Sequence, residues 1–325
     1  MNKFIRAVVS VFIVFFLAFV VFFYWASSSV YTEKEYARLI TNTYNYENSS
    51  DSIYSIMTYN IGYLSGMTNN LPIQKTKELF DTNLNHIRLK VKGVSPDIMA
   101  LQEIDYHAAR SFHVDQEQEL SSLGYNYVAR AVNWDKRYLP FPYWPPKMHF
   151  GKVLSGQSVI SKYPIKAHER VVLDRVEDTP FFRDAFYLER LAQVCKVILN
   201  GKEVVIINVH LEAFDKPTRK KQFDYILEVF KKQKKQYPTI LLGDFNSRAR
   251  DTTAIIQEIM AMEDVGTAAF DDSNIANTFD TKAPYERIDY IFYSENSIAY
   301  FGGRVLNEFG QVSDHLPVLM RFKLK

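Results

Sequence analysis

The sequence predicts an α/β domain preceded by one transmembrane helix, and three observations carry that prediction. Apolar runs of strand length end on polar or acidic residues, as in Thr239-Ile-Leu-Leu-Gly-Asp244 and Asp97-Ile-Met-Ala-Leu-Gln-Glu103, a pattern that suits strands buried on both faces. Between such runs, apolar residues recur at helical spacing, at Phe80, Leu84, Ile87 and Val91 and again at Phe223, Ile226, Leu227 and Phe230; helices alternating with buried strands are the α/β habit. The third observation is an uncharged, almost wholly apolar run from Ala7 to Ala26.

The composition leaves room for a large core. The chain has 325 residues, 47% hydrophobic and 23% charged, and nothing suggests disorder or a fibrous repeat. A net charge of +2 is too small for the strongly basic surface that tracks nucleic-acid phosphates, although local patches stay open. The single Cys195 excludes an intramolecular disulfide and a cysteine-based zinc site; lying in an apolar run, it reads as a core residue.

The apolar run at the N-terminus is twenty residues long, and at about 1.5 Å per residue it spans about 30 Å, the thickness of a bilayer's hydrocarbon core. Lys3 and Arg6 precede it and Tyr24 and Trp25 stand at its far end, which predicts a cytoplasmic segment 1–6, an anchor 7–26 and everything after it outside. A cleaved signal peptide is the alternative, since Ala26 to Ser29 offers small residues; a run longer than the roughly 7–15 residues of a signal-peptide core favours the uncleaved anchor.

Residues 27–51 are polar and rich in Tyr, Asn and Ser, with a short helix-like piece at Glu33-Lys-Glu-Tyr-Ala-Arg38, and read as a linker. The domain is expected to run from 52 to 325. Ser52 to Tyr63 alternates like a strand and brings Asn60 to its end; a helix then follows until Gly93 and Pro96 stop it, and the next buried strand delivers Glu103. Strands are expected at Gly124–Ala131 and Gly156–Ser161, separated by Arg137-Tyr-Leu-Pro-Phe-Pro-Tyr-Trp-Pro-Pro146, whose prolines exclude helix and central strand. Arg190–Leu199 and Glu203–His210 read as a hairpin turned at Asn200-Gly201, and the second strand ends on His210. After an amphipathic helix with a lysine-rich outer face comes the strand ending on Gly243-Asp-Phe-Asn246. The final strands, Ile288–Phe292 and Leu316–Phe322, flank Ser313-Asp-His315.

Strand ends thus present Asn60, Glu103, His210, Asp244, Asn246, Asp289, Asp314 and His315, and no Walker A loop, dinucleotide fingerprint or serine nucleophile elbow competes with them. Each alone has a dull explanation, such as an Asx turn or a hydrogen-bonded core histidine. Together, oxygen donors suited to a hard cation such as Mg²⁺ stand beside two histidines that exchange protons near neutral pH. That combination points to metal-assisted attack of water on a phosphate ester.

Six motifs, Met57-Thr-Tyr-Asn60, Leu101-Gln-Glu103, Asn208-Val-His210, Gly243-Asp-Phe-Asn246, Arg287-Ile-Asp289 and Ser313-Asp-His315, stand in an order that resembles the endonuclease/exonuclease/phosphatase (DNase I-like) superfamily across the whole of 52–325. Leu101 to Arg110 with Asp115-Gln116 is similar to its broad bacterial metal-dependent hydrolase branch. The resemblance implies a four-layer sandwich of two central β-sheets flanked by helices, with Mg²⁺ as cofactor and Mn²⁺ as its alternate. It also implies metal contacts from Glu103, Asn60 and Asp314, a general base in His315 oriented by Asp289, and a water-positioning or water-deprotonating role for Asp244. Asn246 would hydrogen-bond a phosphoryl oxygen, and His210 would stabilise the transition state or protonate the leaving oxygen. Ala283-Pro-Tyr-Glu-Arg287 stands where the phosphatase branch has Trp-Cys-Asp-Arg, and the interval from Asp289 to Asp314 is too short for the aromatic hairpin of secreted bacterial sphingomyelinases. The proline/aromatic segment 138–150 is either a substitute for that hairpin or a rigid loop packed on the domain.

Three function classes are consistent with this reading: a membrane-anchored phosphodiesterase acting on a lipid head group or another extracytoplasmic phosphoester, a membrane-tethered endo- or exonuclease, and a non-catalytic binding module of the same fold. The last is disfavoured because all eight positions are occupied. The partners are therefore a phosphoester substrate and the membrane, and no protein partner is inferred.

Overall fold

The computed structural model describes residues 2–44, 52–69, 71–271 and 273–325. In chain order the elements are α1 (Lys3–Ser27), β1 (Ala37–Thr41), β2 (Tyr54–Asn60), α2 (Lys77–Val94), β3 (Ile98–Asp105), α3 (Gln116–Ser121), β4 (Tyr127–Leu139), β5 (Gly151–Ser161) and β6 (Ile165–Val172). The second half adds α4 (Phe181–Asp184), β7 (Leu191–Leu199), β8 (Lys202–His210), α5 (Lys216–Lys234), β9 (Thr239–Asp244), α6 (Ile256–Met260), β10 (Val265–Thr267), β11 (Asp289–Ser294), β12 (Ile298–Val305) and β13 (Val318–Leu324).

Two mixed sheets form, in the orders β1-β4-β5-β3-β2-β13-β12 and β10-β11-β9-β8-β7-β6. They pack face to face, and helices cover the outer faces, giving the α/β sandwich that the resemblance implies. The central strands are buried on both faces, which explains why their sequences are largely apolar. Ile240 and Leu242 of β9 enter the core between the sheets with Ile206 of β8 and Ile56 of β2, whereas Leu241 turns the other way, against Phe223, Ile226 and Phe230 of α5. On the far side, Met57 and Tyr59 of β2 pack on Phe80, Ile87 and Val91 of α2. Cys195 lies in the inter-sheet core.

Local chemistry sets the boundaries. Thr76 caps α2 by accepting from Leu79 N at 3.3 Å, and the helix stops at Ser95, whose φ of 46° lies in the left-handed region just before Pro96. Asp215 caps α5 through Thr218 N at 2.8 Å. Asn200 and Gly201, with φ of 48° and 76°, close the β7–β8 hairpin as their sequence predicts.

Three expectations are corrected. Residues 27–51 do not read as a linker where they are described: Glu33–Glu35 is a 3₁₀ turn, and β1 pairs antiparallel with β4 from Ala37↔Ala131 to Thr41↔Tyr127, forming the sheet edge. Residues 45–51 lie outside the described residues. The β4 strand runs on to Leu139, into the stretch whose prolines were expected to exclude it, because the first proline, Pro140, comes only after that strand ends. The edge strands β6, β10 and β12 were not expected at all.

The α1 helix is long and apolar enough to cross a membrane, and its C-terminal end is fixed to the domain. The Asp135 carboxylate accepts from Val30 N at 3.0 Å and Tyr31 N at 2.7 Å, Arg137 N donates to Ser28 O at 3.0 Å, and Lys136 Nζ donates to Ser27 O at 3.1 Å.

Strand direction gathers the polar strand ends. Parallel pairing sets Asn60 of β2 beside Gln102 of β3 and His210 of β8 beside Asp244 of β9, while antiparallel pairing sets Asp289 of β11 beside Asp244. The β8–β9 approach depends on Gly243, whose φ is 140° and where a Cβ would lie 2.0 Å from the Val209 carbonyl oxygen. Gly243→Ala is therefore expected to lower stability by about 3 kcal/mol or more. Urea unfolding checks this, and an unchanged midpoint would contradict so close a contact.

Candidate active site

The strand ends bring all eight predicted residues to one rim. Glu103 gets there through a bulge: the β3–β5 register shifts between Leu101 and Ile104, and Glu103 takes a φ of 51°, so its carboxylate turns out of the ladder into the cleft. Asn246 also has positive φ, 49°, just past β9; its backbone N–H donates to Asp244 Oδ1 at 2.9 Å and its side-chain amide to Leu211 O at 3.0 Å.

Three side chains in line, joined by one hydrogen bond and one longer charge contact, form the first half of the site. His315 Nδ1 lies 3.0 and 3.2 Å from the two oxygens of Asp289, and His315 Nε2 faces Asp244 Oδ2 at 3.8 Å. The Phe279 ring packs on the imidazole with centroids 5.1 Å apart. Burial disfavours the imidazolium, yet the Asp289 and Asp244 carboxylates outweigh it and hold the His315 pKa well above 6.5. For Asp244, burial dominates and pushes the carboxyl up to about 7 against the pull of His315.

The second half is a pair of carboxylates sharing one amide. Asn69 Nδ2 donates to Glu103 Oε2 at 2.9 Å and lies 3.3 Å from Asp314 Oδ1. Burial, then the Asp314 charge, raises the Glu103 pKa against the weaker pull of Asn69, His315 and Arg190, so a cation beside the two carboxylates would relieve the cost of ionising Glu103 there. That observation and the all-oxygen donor set fit a hard divalent cation. Asp244, Asp289 and His315 also present donor atoms within 4.8 Å of one another. In that trio, however, Asp289 is already engaged with His315, and the imidazole is held charged, so Glu103 and Asp314 are the better cation donors. Asn60 supports them from behind: its amide nitrogen donates to Asp244 Oδ2 at 3.0 Å and Glu103 Oε1 at 3.3 Å, while its oxygen accepts from Gly62 N at 3.1 Å.

His210 has a partner that sequence reasoning missed. Arg190 Nη1 lies 2.6 Å from His210 Nε2, and since a guanidinium only donates, that nitrogen must be the acceptor of a neutral ring. The carboxylate oxygens of Asp244 and Glu103 stand farther from the same atom, at 3.5 and 3.8 Å. Burial and the Arg190 charge hold the His210 pKa well below 6.5. Arg190 is in turn held by Glu212, whose carboxylate also accepts from Tyr187. The position of Arg190, one residue before the Leu191↔His210 pair, is a signal that hairpin register could have given. Asn69 had none, because it lies in an irregular loop.

Glu103, His210, Asp244, Asn246, Asp314 and His315 line one open cleft of about 1750 Å³, whereas Asn60 and Asp289 stand behind its surface.

A family model described as the Endonuclease/Exonuclease/phosphatase family matches residues 57–315. An Escherichia coli K12 protein described as uncharacterized protein YbhP is 25% identical over 240 residues, 72% of this chain and 86% of its own length. Among solved structures, an endonuclease/exonuclease/phosphatase from Beutenbergia cavernae superposes with a TM-score of 0.63 at 21% identity, covering 84% of this chain and 72% of that one. The catalytic domain of human Nocturnin, solved with a bound sulfate anion, gives 0.57 at 16% identity, covering 89% and 98%.

The raised Asp244 pKa has a consequence for stability. Because the folded value stands near 7 and the ordinary value is 3.8, its contribution is fully present below 3.8 and is lost as pH rises through about 7. With EDTA present, the melting temperature of Asp244→Asn relative to the unsubstituted protein is expected to rise across that window. A difference that does not change with pH would contradict the assignment.

Proposed function

The chain belongs to the endonuclease/exonuclease/phosphatase family, and we propose that it is a membrane-anchored, divalent-metal-dependent phosphoester hydrolase whose domain lies outside the membrane that α1 crosses. The observation that carries the reading is the juxtaposition of two units: the Asp289–His315–Asp244 row and the Glu103–Asp314 carboxylate pair, on the floor of one cleft. Lys3 and Arg6 before the apolar run support the outward orientation.

Glu103 and Asp314, supported by Asn60, would hold Mg²⁺ or Mn²⁺, and such an ion supplies Lewis-acid polarisation of a phosphoryl oxygen and neutralises charge there. The chain's own groups manage the protons. The water oxygen bonds to phosphorus while its proton passes to the Asp244–His315 pair. Of the two, Asp244 is the better acceptor, because His315 already carries a proton between two carboxylates. Asp289 fixes the ring through Nδ1, leaving the charged Nε2–H to face the phosphoryl group. Arg190, held by His210 Nε2 and by Glu212, supplies the positive charge that stabilises the negative charge building on the phosphoryl oxygens. With its Nε2 accepting from Arg190, His210 has no proton there for the leaving oxygen and acts by positioning the guanidinium. As the ester P–O bond breaks, the departing alcohol oxygen collects the proton the water lost.

Hydrolysis of bis-p-nitrophenyl phosphate by the full chain in detergent tests the reading. EDTA and Glu103→Ala are each expected to abolish turnover, and Asp289→Asn to slow it by a factor on the order of 10²–10⁴. Activity that survives both EDTA and Glu103→Ala would contradict the mechanism.

A further inference from the structure

The active-site cleft and the transmembrane helix share a wall. Phe19, Phe22 and Phe23 of α1 line the same cleft as Glu103, Asp244 and His315. The helix is seated there by ring contacts: Phe23 lies 5.5 Å from Phe186 and 5.9 Å from Phe181, Phe22 lies 5.9 Å from Tyr138, and Trp25 stacks on Tyr138 at 6.4 Å. Tyr24 and Trp25 suit the interfacial belt of a spanning helix. Phe19 stands six residues earlier, about 9 Å deeper at about 1.5 Å per residue. The part of the cleft that touches Phe19 is thus at the depth of acyl chains.

The domain is apolar where it meets that depth. Trp144 is 78% exposed beside exposed Tyr143 in the proline-rich loop after β4, Phe181 is 74% exposed beside exposed Phe182 on α4, and Phe214 is 88% exposed before α5. These come from three separate segments, and Tyr143, Phe182 and Phe214 all line the cleft. Exposed aromatic clusters of this kind mark a surface that meets something apolar. Arg183, Lys216 and Lys220 stand among them on the cleft wall, placing positive charge where head-group phosphates lie above the acyl boundary. The covering occupant is fixed by continuity, because the collar adjoins a helix whose own aromatic face belongs in a bilayer.

We propose that Trp144, Phe181, Phe182 and Phe214 form a collar that dips into the leaflet from which α1 emerges, and that the substrate is a phospholipid of that same leaflet, drawn head group first into the cleft. This rests on the reading of the site as a metal-dependent phosphoester hydrolase. Water adds to the lipid phosphorus and one ester P–O bond breaks. The products are diacylglycerol with a phosphorylated head group, or phosphatidate with the free head-group alcohol, depending on which bond breaks. The departing oxygen takes up the proton in either case.

The test uses the full chain in proteoliposomes of equal parts phosphatidylcholine, phosphatidylethanolamine and phosphatidylglycerol, with Mg²⁺, following lipid products by mass spectrometry. Bis-p-nitrophenyl phosphate turnover is measured in parallel. The combined variant Trp144→Ser, Phe181→Ser, at the two collar rings that do not line the cleft, is expected to lose lipid hydrolysis at least ten-fold while keeping turnover of the soluble ester within about two-fold, which also shows that it is folded. In the unsubstituted protein, brominated acyl chains should quench fluorescence that Trp144→Phe removes. Lipid hydrolysis unaffected by the collar variant would overturn the proposal. So would an unsubstituted protein that hydrolyses the soluble ester or plasmid DNA but none of the three lipids, and that outcome leaves the reading of the site intact. Hydrolysis of neither ester nor lipid would overturn both.

Discussion

Glu103, Asp244, Asp289 and Asp314 lie together at one rim, partly or wholly out of water, and their mutual repulsion is the constraint that the surrounding structure answers. Each carboxylate is supplied with a compensating group by a different segment. Asn60 arrives at the end of β2 and donates to Asp244 and Glu103, Asn69 from an irregular loop donates to Glu103 and Asp314, and His315 stands between Asp289 and Asp244. What a divalent cation would relieve is the cost of ionising Glu103 beside Asp314. The backbone accepts strain to achieve this, with left-handed conformations at Glu103 and Asn246. The rim is therefore poised for a ligand rather than arranged for stability.

Much of this rim is legible in the sequence for a physical reason. A strand buried on both faces is mostly apolar until it leaves the core, so the polar residues that close an apolar run mark where a strand nears the rim, as at Asn60, Gln102-Glu103, Asn208-Val-His210 and Asp244. The buried Thr58, Gln102 and Asn208 are tolerated because Gln102 hydrogen-bonds both of the others. Parallel pairing then carries those ends to the same side. The same logic fails where strands are half-exposed: β1, β6 and β12 alternate or carry several exposed positions, and their polar character hides them among loops. It fails also for partners set by tertiary packing. Asn69 reaches Glu103 and Asp314 from an irregular loop and carries no signal, whereas Arg190 reaches His210 across a hairpin, where register rather than apolar periodicity is the clue. The seating of α1 depends on Asp135, more than a hundred residues away in sequence, which is why 27–51 reads locally as a tether.

That seating bears on the proposed anchoring by α1. A flexible linker would let the domain sample many orientations above a bilayer. Here the hydrogen bonds from Val30 and Tyr31 to Asp135 begin within a few residues of the helix end, and aromatic contacts from Phe22 and Phe23 continue from the helix onto the domain. The orientation of the cleft relative to α1 is consequently a property of the fold. The proposed reaction chemistry at the rim and the proposed lipid access at the mouth are then separable: the first would depend on carboxylates and imidazoles, the second on exposed rings and cations outside the bond-breaking groups.

The central claim is that the pair Glu103 and Asp314 is where the catalytic cation binds. Anomalous scattering from crystals of the full chain grown with Mn²⁺ measures this directly. The account predicts a single strong peak coordinated by the Glu103 and Asp314 carboxylates and lost in Glu103→Gln. A peak coordinated only by Asp244, Asp289 and His315, or one that persists in Glu103→Gln, would contradict it.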